Sequence, residues 1–328
     1  MSGDLYLDLG STSIKWRKGG ERETHKTDFP APFLDSPPRY ETDCGQILSV
    51  VRNIIAKASP ARVFFSVQMH GYVLLKGGKA VTGYVSWRDE RGADLAPAFS
   101  LTEEYGVHIK PNLPRLSLQA QEADGDEFCT LGSFLAYMLT GNNRTHITDA
   151  AASGFYNVRK RTRDESVYRL PEAEYRVRSV GRYCGCEIFT PVGDQQTAVL
   201  GAADKAELMR NYLLNLGTAG QLCALSESFV CGDFESRPFF GGRTLCTVTG
   251  LPGGAYLRAH TENGAPYVAW SAALEKLPVR EGILVCGGAA EYHRERIARA
   301  LEKTGYPYRF CAGGETMRGL KILSEEVL

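Results

Sequence analysis

The chain has 328 residues, of which 43% are hydrophobic, and its 38 basic and 38 acidic side chains balance. That length is sufficient for two domains with separate cores, and the zero net charge disfavours a nucleic-acid partner, which would need a basic excess. The sequence shows neither an apolar run of membrane-spanning length nor a signal-peptide pattern, so we expect no membrane partner and a cytoplasmic protein whose nine scattered cysteines are reduced thiols.

The first predicted element is a β-hairpin whose turn is Asp8–Ser13, between two short apolar runs. Gly10 lets the chain reverse with little steric cost. The backbone N–H groups of the turn, with the hydroxyls of Ser11 and Thr12, suit phosphate oxygens, and the carboxylate of Asp8 suits Mg²⁺. Short sequences of this type also occur in ordinary hairpins, which is the competing interpretation.

The next segment predicts alternating strands and helices. Proline-rich composition indicates an exposed loop over Pro30–Pro38. Thr42 or Asp43 can then cap a helix whose apolar residues run at helical spacing over Ile47–Ile55. The segment Ala61–Val67 reads as a buried strand, and the order strand, helix, strand is typical of an α/β fold.

Polar residues follow this buried strand, where ligands of open α/β sheets bind. Gln68, Met69 and His70 close the strand, and Trp87 and Asp89 follow the next predicted hairpin. An aromatic face beside carboxylates is a common way to hold a sugar. The alternatives are a hydrogen-bonded structural histidine and a tryptophan that covers the core among solvated charges.

A helix is predicted over Leu131–Thr140, with Thr130 as its N-cap and Gly141 at its end. The small residues of Thr148–Gly154 predict a turn before a strand over Phe155–Val158.

Asp194 follows the turn Val192-Gly193 and stands at or near a predicted helix start. The purely structural interpretation is that Asp194 is the N-cap of this helix. A carboxylate at a helix N-terminus is also kept ionised by the helix dipole, so it can accept a proton.

A second hairpin is predicted over Leu213–Cys223, because Leu216-Gly217-Thr218 repeats the pattern of the first turn. Two copies of one hairpin suggest an internal duplication. Two such hairpins facing each other would hold opposite ends of a polyphosphate.

These elements, in this order, resemble the FGGY carbohydrate kinases, and most of all their xylulokinase and sedoheptulokinase branch. The resemblance spans nearly the whole chain and rests on the stretches Asp8–Ser13, Gln68–Gly71, Trp87–Arg91, Leu135–Gly141, Thr148–Arg159, Gly193–Gln196, Leu216–Gly220, Ile283–Ala289 and Gly313–Leu320.

The resemblance implies an α/β fold of two ribonuclease H-like lobes, as in the actin, Hsp70 and sugar kinase superfamily, around a central cleft. The lobes would be residues 1–204, which bind the sugar, and 205–328, which bind the nucleotide. The cofactors would be ATP and Mg²⁺. The implied roles are Asp194 as general base, Asp8 for the metal, Gln68, Met69, His70, Trp87 and Asp89 for the sugar, and Gly10, Ser11, Thr12, Gly217, Thr218, Gly287 and Gly288 for the nucleotide.

The substrate implied is a pentulose or heptulose, because glycerol kinases of the family carry Arg-Glu where this chain has Met69-His70. The second half of the chain is shorter than is usual in the family. A non-catalytic relative that senses a sugar or nucleotide is therefore the alternative function. The association state, a homodimer among the options, stays open.

Overall fold

The computed structural model describes residues 3–98, 105–260 and 264–327, and it divides the chain into two compact units. Unit 1 comprises the residues up to Thr197 together with those from Leu320 onwards, and unit 2 is Ala198–Gly319. The predicted division after residue 204 stays a prediction.

In the described part of the chain, the strands are β1 (Asp4–Leu9), β2 (Ser13–Lys18), β3 (His25–Asp28), β4 (Pro32–Ser36), β5 (Arg39–Thr42), β6 (Arg62–Val67), β7 (Tyr72–Lys76), β8 (Lys79–Ala80), β9 (Tyr84–Val85), β10 (Glu127–Thr130), β11 (Arg144–His146), β12 (Tyr156–Asn157), β13 (Thr162–Arg163), β14 (Glu172–Glu174), β15 (Ser179–Tyr183), β16 (Cys186–Phe189), β17 (Val192–Gly193), β18 (Asn211–Leu216), β19 (Gly220–Ser226), β20 (Glu235–Pro238), β21 (Thr244–Leu251), β22 (Gly282–Cys286) and β23 (Tyr308–Phe310). The α-helices are α1 (Cys44–Ala58), α2 (Pro114–Ser117), α3 (Leu131–Thr140), α4 (Ile147–Ala150), α5 (Asp194–Ala202), α6 (Lys205–Arg210), α7 (Gly254–Ala259), α8 (Gly264–Lys276), α9 (Gly288–Tyr292), α10 (Arg294–Glu302) and α11 (Glu315–Glu326). Short 3₁₀ turns cover Ala93–Ala98, Leu118–Ala120, Ala151–Ser153 and Phe240–Gly242.

The main sheet of unit 1 has the order β15-β16-β6-β1-β2-β3, and β17 also pairs with β6. The first hairpin forms as predicted, with Leu9 of β1 opposite Ile14 of β2. Every second residue of β1 is buried in a core shared with α1 and α3, as the two-residue period of a strand requires, and these residues are Leu5, Leu7 and Leu9.

The two predicted helices of this unit are confirmed with their caps. Asp43, not Thr42, caps α1, because its Oδ1 accepts from the backbone N–H groups of Gly45 at 2.7 Å and Gln46 at 3.1 Å. Thr130 Oγ1 accepts from the N–H of Ser133 at 3.0 Å at the start of α3. That helix ends at Gly141, which has a φ of 81°.

Two local predictions need correction. The Pro30–Pro38 segment is not all loop, since it contains the exposed strand β4 at the edge of the sheet β10-β7-β9-β5-β4. Proline is tolerated at the first residue of an edge strand, where Pro32 stands. The Thr148–Gly154 segment also departs from a simple turn, since α4 and a 3₁₀ turn occupy most of it.

The sheet of unit 2 repeats the topology of unit 1. Its order is β20-β21-β19-β18-β22-β23, with β18 and β19 forming the second predicted hairpin. In both sheets the first hairpin strand pairs in parallel with a later strand, β6 in one and β22 in the other. The second hairpin strand pairs antiparallel with a third strand, β3 or β21. The α/β class and the duplication inferred from the two turns are confirmed. None of the helices described is long and apolar enough to cross a membrane.

Candidate functional site

Three parallel strands of unit 1 end at the same level. Val67 of β6 pairs with Leu9 of β1 on one side and with Gly193 of β17 on the other. The residues that follow these three therefore emerge together at the carboxyl edge of the sheet, where α/β proteins bind ligands. They are Gly10, Gln68 and Asp194.

Asp194 is half-buried and is the first residue of α5. Its Oδ1 accepts from the backbone N–H of Gln195 at 2.8 Å. The preceding residue is fixed from two sides, because the N–H of Gly193 donates to Thr148 Oγ1 at 3.0 Å and its carbonyl accepts from Thr197 Oγ1 at 2.7 Å. The carboxylate is thus presented from a firmly held turn.

The segment that holds this turn carries two buried titratable groups, which the sequence did not single out. Thr145 Oγ1 donates to Asp149 Oδ2 at 2.7 Å, and the hydroxyl of Thr130 donates to the same oxygen. Burial raises the pKa of Asp149 to about 6, against the lowering effect of the two hydroxyls. His146 Nδ1 accepts from the N–H of Thr148 at 3.2 Å, and burial lowers the pKa of His146 to about 4.

Asp8 lies on β1, two residues before the turn glycine Gly10, and is half-buried. Burial raises the pKa of its carboxyl, while the positive charge of Lys15 and a hydrogen bond from Ser66 Oγ at 3.3 Å lower it. Gln68 ties β6 to this turn, since its N–H donates to the Leu9 carbonyl at 2.9 Å. Among the residues described, the structure contains no cluster of three His, Cys, Asp or Glu side chains that could hold a metal.

Two glycines, Gly71 and Gly193, lie where a side chain would collide with the surroundings of the predicted sugar-binding turn. A Cβ atom on Gly193 would lie 2.4 Å from Met69 Sδ, and one on Gly71 would lie 2.3 Å from the Tyr84 hydroxyl oxygen. Between these contacts, His70 adopts a φ of 61°. This left-handed conformation costs of order 1–3 kcal/mol for a residue with a side chain and is concentrated at functional sites.

Asp89 is engaged in a buried ion pair. Its side chain is 1% exposed, and Arg91 donates to both carboxylate oxygens at 2.8 Å. The N–H of Tyr40 donates to Asp89 Oδ2 at 2.7 Å, and Arg91 also pairs with Glu41 at 2.6 Å. Trp87, half-buried, accepts a hydrogen bond at its carbonyl from the side chain of Asn112. The sugar contacts of both residues stay predictions.

In unit 2, the second hairpin turn is held by the start of α7. The carbonyl of Gly217 accepts from the N–H of Gly254 at 2.8 Å, and that of Thr218 accepts from Ala255 at 3.0 Å. A Cβ atom on Gly253 would lie 2.4 Å from the Ala219 carbonyl carbon. This glycine pair is a functional feature that the sequence marks only as a turn signal, Pro252-Gly253-Gly254 directly after a strand.

The turn Gly287-Gly288 between β22 and α9 lies beside the second hairpin. Gly287 has a φ of 93°, and a Cβ there would lie 2.6 Å from Asn215 Oδ1 and 2.7 Å from the Leu216 carbonyl oxygen. Only glycine fits this backbone and this contact. Gly288 is exposed, with no atom near the place of a side chain.

The duplicated sheets and their strand-end turns define the fold as that of the carbohydrate kinases. The chain is similar to a ligand-bound xylulose kinase from Lactobacillus acidophilus, with a TM-score of 0.83 and 15% identity over 99% of this chain and 89% of that one. It is similar to a gluconate kinase from Lactobacillus acidophilus, with a TM-score of 0.81, 15% identity and the same coverage. A Plasmodium falciparum glycerol kinase with ADP matches with a TM-score of 0.78 at 13% identity, over 98% of this chain and 89% of that chain. No protein-family model and no curated protein matches the sequence. The predicted sugar-kinase fold is confirmed.

Proposed function

We propose that the protein phosphorylates a hydroxyl of a ketose, a pentulose or heptulose, at the expense of ATP. The observation that carries the proposal is the common level at which β1, β6 and β17 end. It brings a phosphate-type turn at Gly10, the Met69-His70 turn and the carboxylate of Asp194 to one edge of one sheet. A sugar kinase needs these three functions side by side.

Asp194 is the general base in this proposal. An alcohol attacks a phosphoryl group poorly until its proton is accepted, and the acceptor must be held within hydrogen-bond reach of the attacking oxygen. The hydrogen bonds of Gly193 to Thr148 and Thr197 support this role, because they fix the backbone from which the carboxylate extends. The hydrogen bond to Gln195 further restrains the carboxylate.

Asp8 is the residue that would hold Mg²⁺, directly or through water. Magnesium keeps several waters in its shell and takes one or two carboxylates together with substrate phosphates, so a single carboxylate beside the phosphate turn would suffice to hold it. Bound there, the ion would neutralise charge on the nucleotide phosphates.

The nucleotide phosphates would also contact the second hairpin turn. The carbonyls of Gly217 and Thr218 face α7. In a trans peptide the N–H points opposite to the carbonyl, so the N–H groups of Thr218 and Ala219 point away from α7, where a phosphate can accept from them. We assign the turn at Gly287 and Gly288 to the adenosine, since the side-chain side of Gly288 is open.

His70 and Met69 would contact the sugar. A histidine ring can donate or accept according to its tautomer, which suits a carbonyl beside a hydroxyl. Met69 supplies an adaptable apolar contact to the carbon chain. We assign Gln68 to the same subsite as the residue that ties this loop to the phosphate turn.

ADP release measured on xylulose, ribulose, sedoheptulose, glycerol, gluconate and glucose tests the proposal. We expect the highest kcat/KM with one of the three ketoses. A preference for glycerol, gluconate or glucose would contradict the ketose assignment. Sugar-dependent thermal stabilisation without ADP release would identify the non-catalytic sensor instead.

A further inference from the structure

The two duplicated hairpins differ in charge at one equivalent cross-strand pair. Asp8 stands two residues before the first turn glycine and faces Lys15 across the hairpin. The same place in unit 2 is taken by Asn215, which faces Gln221. A pair of opposite charges in one copy is therefore a pair of neutral amides in the other. The amides can donate and accept hydrogen bonds, but they offer no charge to a metal ion or a phosphate.

Asn215 lies beside both turns assigned to the nucleotide. It precedes Gly217 by two residues, and its Oδ1 is the atom that a side chain on Gly287 would strike, at 2.6 Å. Its register partner on β22 is Cys286, the residue directly before Gly287. The amide therefore occupies the junction between the turn assigned to the phosphates and the turn assigned to the adenosine.

Gln221 has an amide oxygen that is buried and has no hydrogen-bond partner among the described residues. A buried polar atom left without a partner costs about 1–3 kcal/mol. The pairing of β19 with β21 is interrupted at Gln221 by a β-bulge, since the register shifts between Gly220 and Leu222. Gly250 lies in that bulge with a φ of 73° and open space on its Cβ side. Bulges of this kind re-aim side chains beside binding sites.

We propose that Asn215 and Gln221 hydrogen-bond the ribose hydroxyls of the nucleotide. This inference rests on the proposed function, in that unit 2 binds ATP and ADP. The ribose joins the phosphates to the base, which matches the junction that Asn215 occupies. A ribose hydroxyl both donates and accepts, so it satisfies the buried Gln221 amide in either orientation of the amide group. A phosphate at neutral pH accepts only.

The experiment measures binding of ADP and of 2′,3′-dideoxy-ADP in EDTA, by calorimetry, for the wild type, Gln221→Leu and Asn215→Ala. We expect the wild type to bind the dideoxy nucleotide about 3- to 10-fold more weakly, the worth of one or two net hydrogen bonds. In Gln221→Leu, ADP binding should weaken by part of this factor, and the preference for ADP over the dideoxy nucleotide should fall without vanishing, because Asn215 still contacts the ribose. Asn215→Ala should weaken ADP binding and reduce the preference for ADP over the dideoxy nucleotide to a comparable degree.

Asn211→Ala is the matched control, since Asn211 lies on β18 at the end remote from the turn and its amide donates to the Glu207 carbonyl at 2.9 Å. It should lower the unfolding temperature and leave ADP affinity unchanged. Gln221→Leu should leave the unfolding temperature of the nucleotide-free protein unchanged or raised, because the buried oxygen has no partner to lose.

The ribose assignment would be overturned if Gln221→Leu still preferred ADP over the dideoxy nucleotide as strongly as the wild type does. It would also be overturned if Gln221→Leu lowered the unfolding temperature and left ADP affinity unaltered. A wild type that binds no ADP would overturn it together with the nucleotide role of unit 2. If the wild type binds ADP but phosphorylates no sugar, only the proposed kinase function is contradicted, because the ADP-binding measurements still test the ribose contact.

Discussion

Replacing Asp149 by asparagine should change how stability depends on pH. The carboxyl is buried and its Oδ2 accepts two threonine hydroxyls, which an asparagine oxygen can also accept. Its pKa in the folded protein is raised from 3.8 to about 6, mainly by burial. A raised pKa means that the folded state holds the proton more tightly, so the stabilisation is complete below pH 3.8 and is lost as the pH rises through about 6.

The size of the effect follows from the shift. About two pKa units at 1.36 kcal/mol each give about 3 kcal/mol. In the wild type this trend is hidden by His146, whose pKa is lowered from 6.5 to about 4 by burial. A buried neutral histidine destabilises the fold as the pH falls through the same range, which opposes Asp149. The comparison of two proteins that both keep His146 removes this opposing contribution.

The assay is urea unfolding of wild type and Asp149→Asn at pH 4, 5, 6 and 7, followed by tryptophan fluorescence. The unfolding free energy of the variant minus that of the wild type should rise by about 2.4 kcal/mol between pH 4 and pH 7, most of the full effect, because the unfolded carboxyl is already partly ionised at pH 4. Asp28→Asn, on the exposed strand β3, controls for the loss of one carboxylate. A difference that stays constant within about 0.5 kcal/mol, the usual scatter of surface changes, would refute the reasoning.

Three further experiments test the packing around the sugar-binding turn and its role in catalysis. Tyr84→Phe removes a fully buried hydroxyl that has no hydrogen-bond partner among the described residues, so it should raise stability by up to about 1 kcal/mol. Tyr72→Phe breaks the buried hydrogen bond to Ser117 and should lower stability by about 1 kcal/mol. Thermal unfolding of the two variants checks that their effects have opposite signs. Gly193→Ala places a methyl group 2.4 Å from Met69 Sδ and 2.7 Å from Gln196 Oε1 and should cost about 1–3 kcal/mol of stability in urea unfolding; an unchanged midpoint would contradict these contacts. His70→Ala should lower kcat/KM for the best ketose about tenfold or more, a loss of at least 1.4 kcal/mol, in steady-state assays; an unchanged value would remove the histidine from the sugar site.

The sequence predicted the parts of the site that depend on local pattern. Both hairpin turns follow from a leucine-glycine-hydroxyl pattern between apolar runs, and the position of Asp194 follows from the small-residue turn before its helix. Contacts between residues distant in sequence could not be predicted from such local patterns. The burial of Asp89 depends on Arg91, whose other partners, Glu41 and Gln121, are distant in sequence.

The support of the second turn by Gly253-Gly254 was missed for a similar reason. The signal was a glycine pair after a strand, but its meaning depends on where the chain returns, and here it returns to the carbonyls of Gly217 and Thr218. Proline-rich composition predicts a loop where β4 forms, because prolines break strands in general, while an edge position tolerates them.

Asp194→Asn tests the central claim most directly, with ADP release and sugar binding measured on the same preparation as wild type. The account predicts that sugar binding is retained while kcat falls about 10²- to 10⁴-fold, the usual worth of a general base, or roughly 3–5 kcal/mol of barrier. Turnover at the wild-type rate with sugar binding unchanged would contradict the assignment of Asp194, and with it the proposed mechanism.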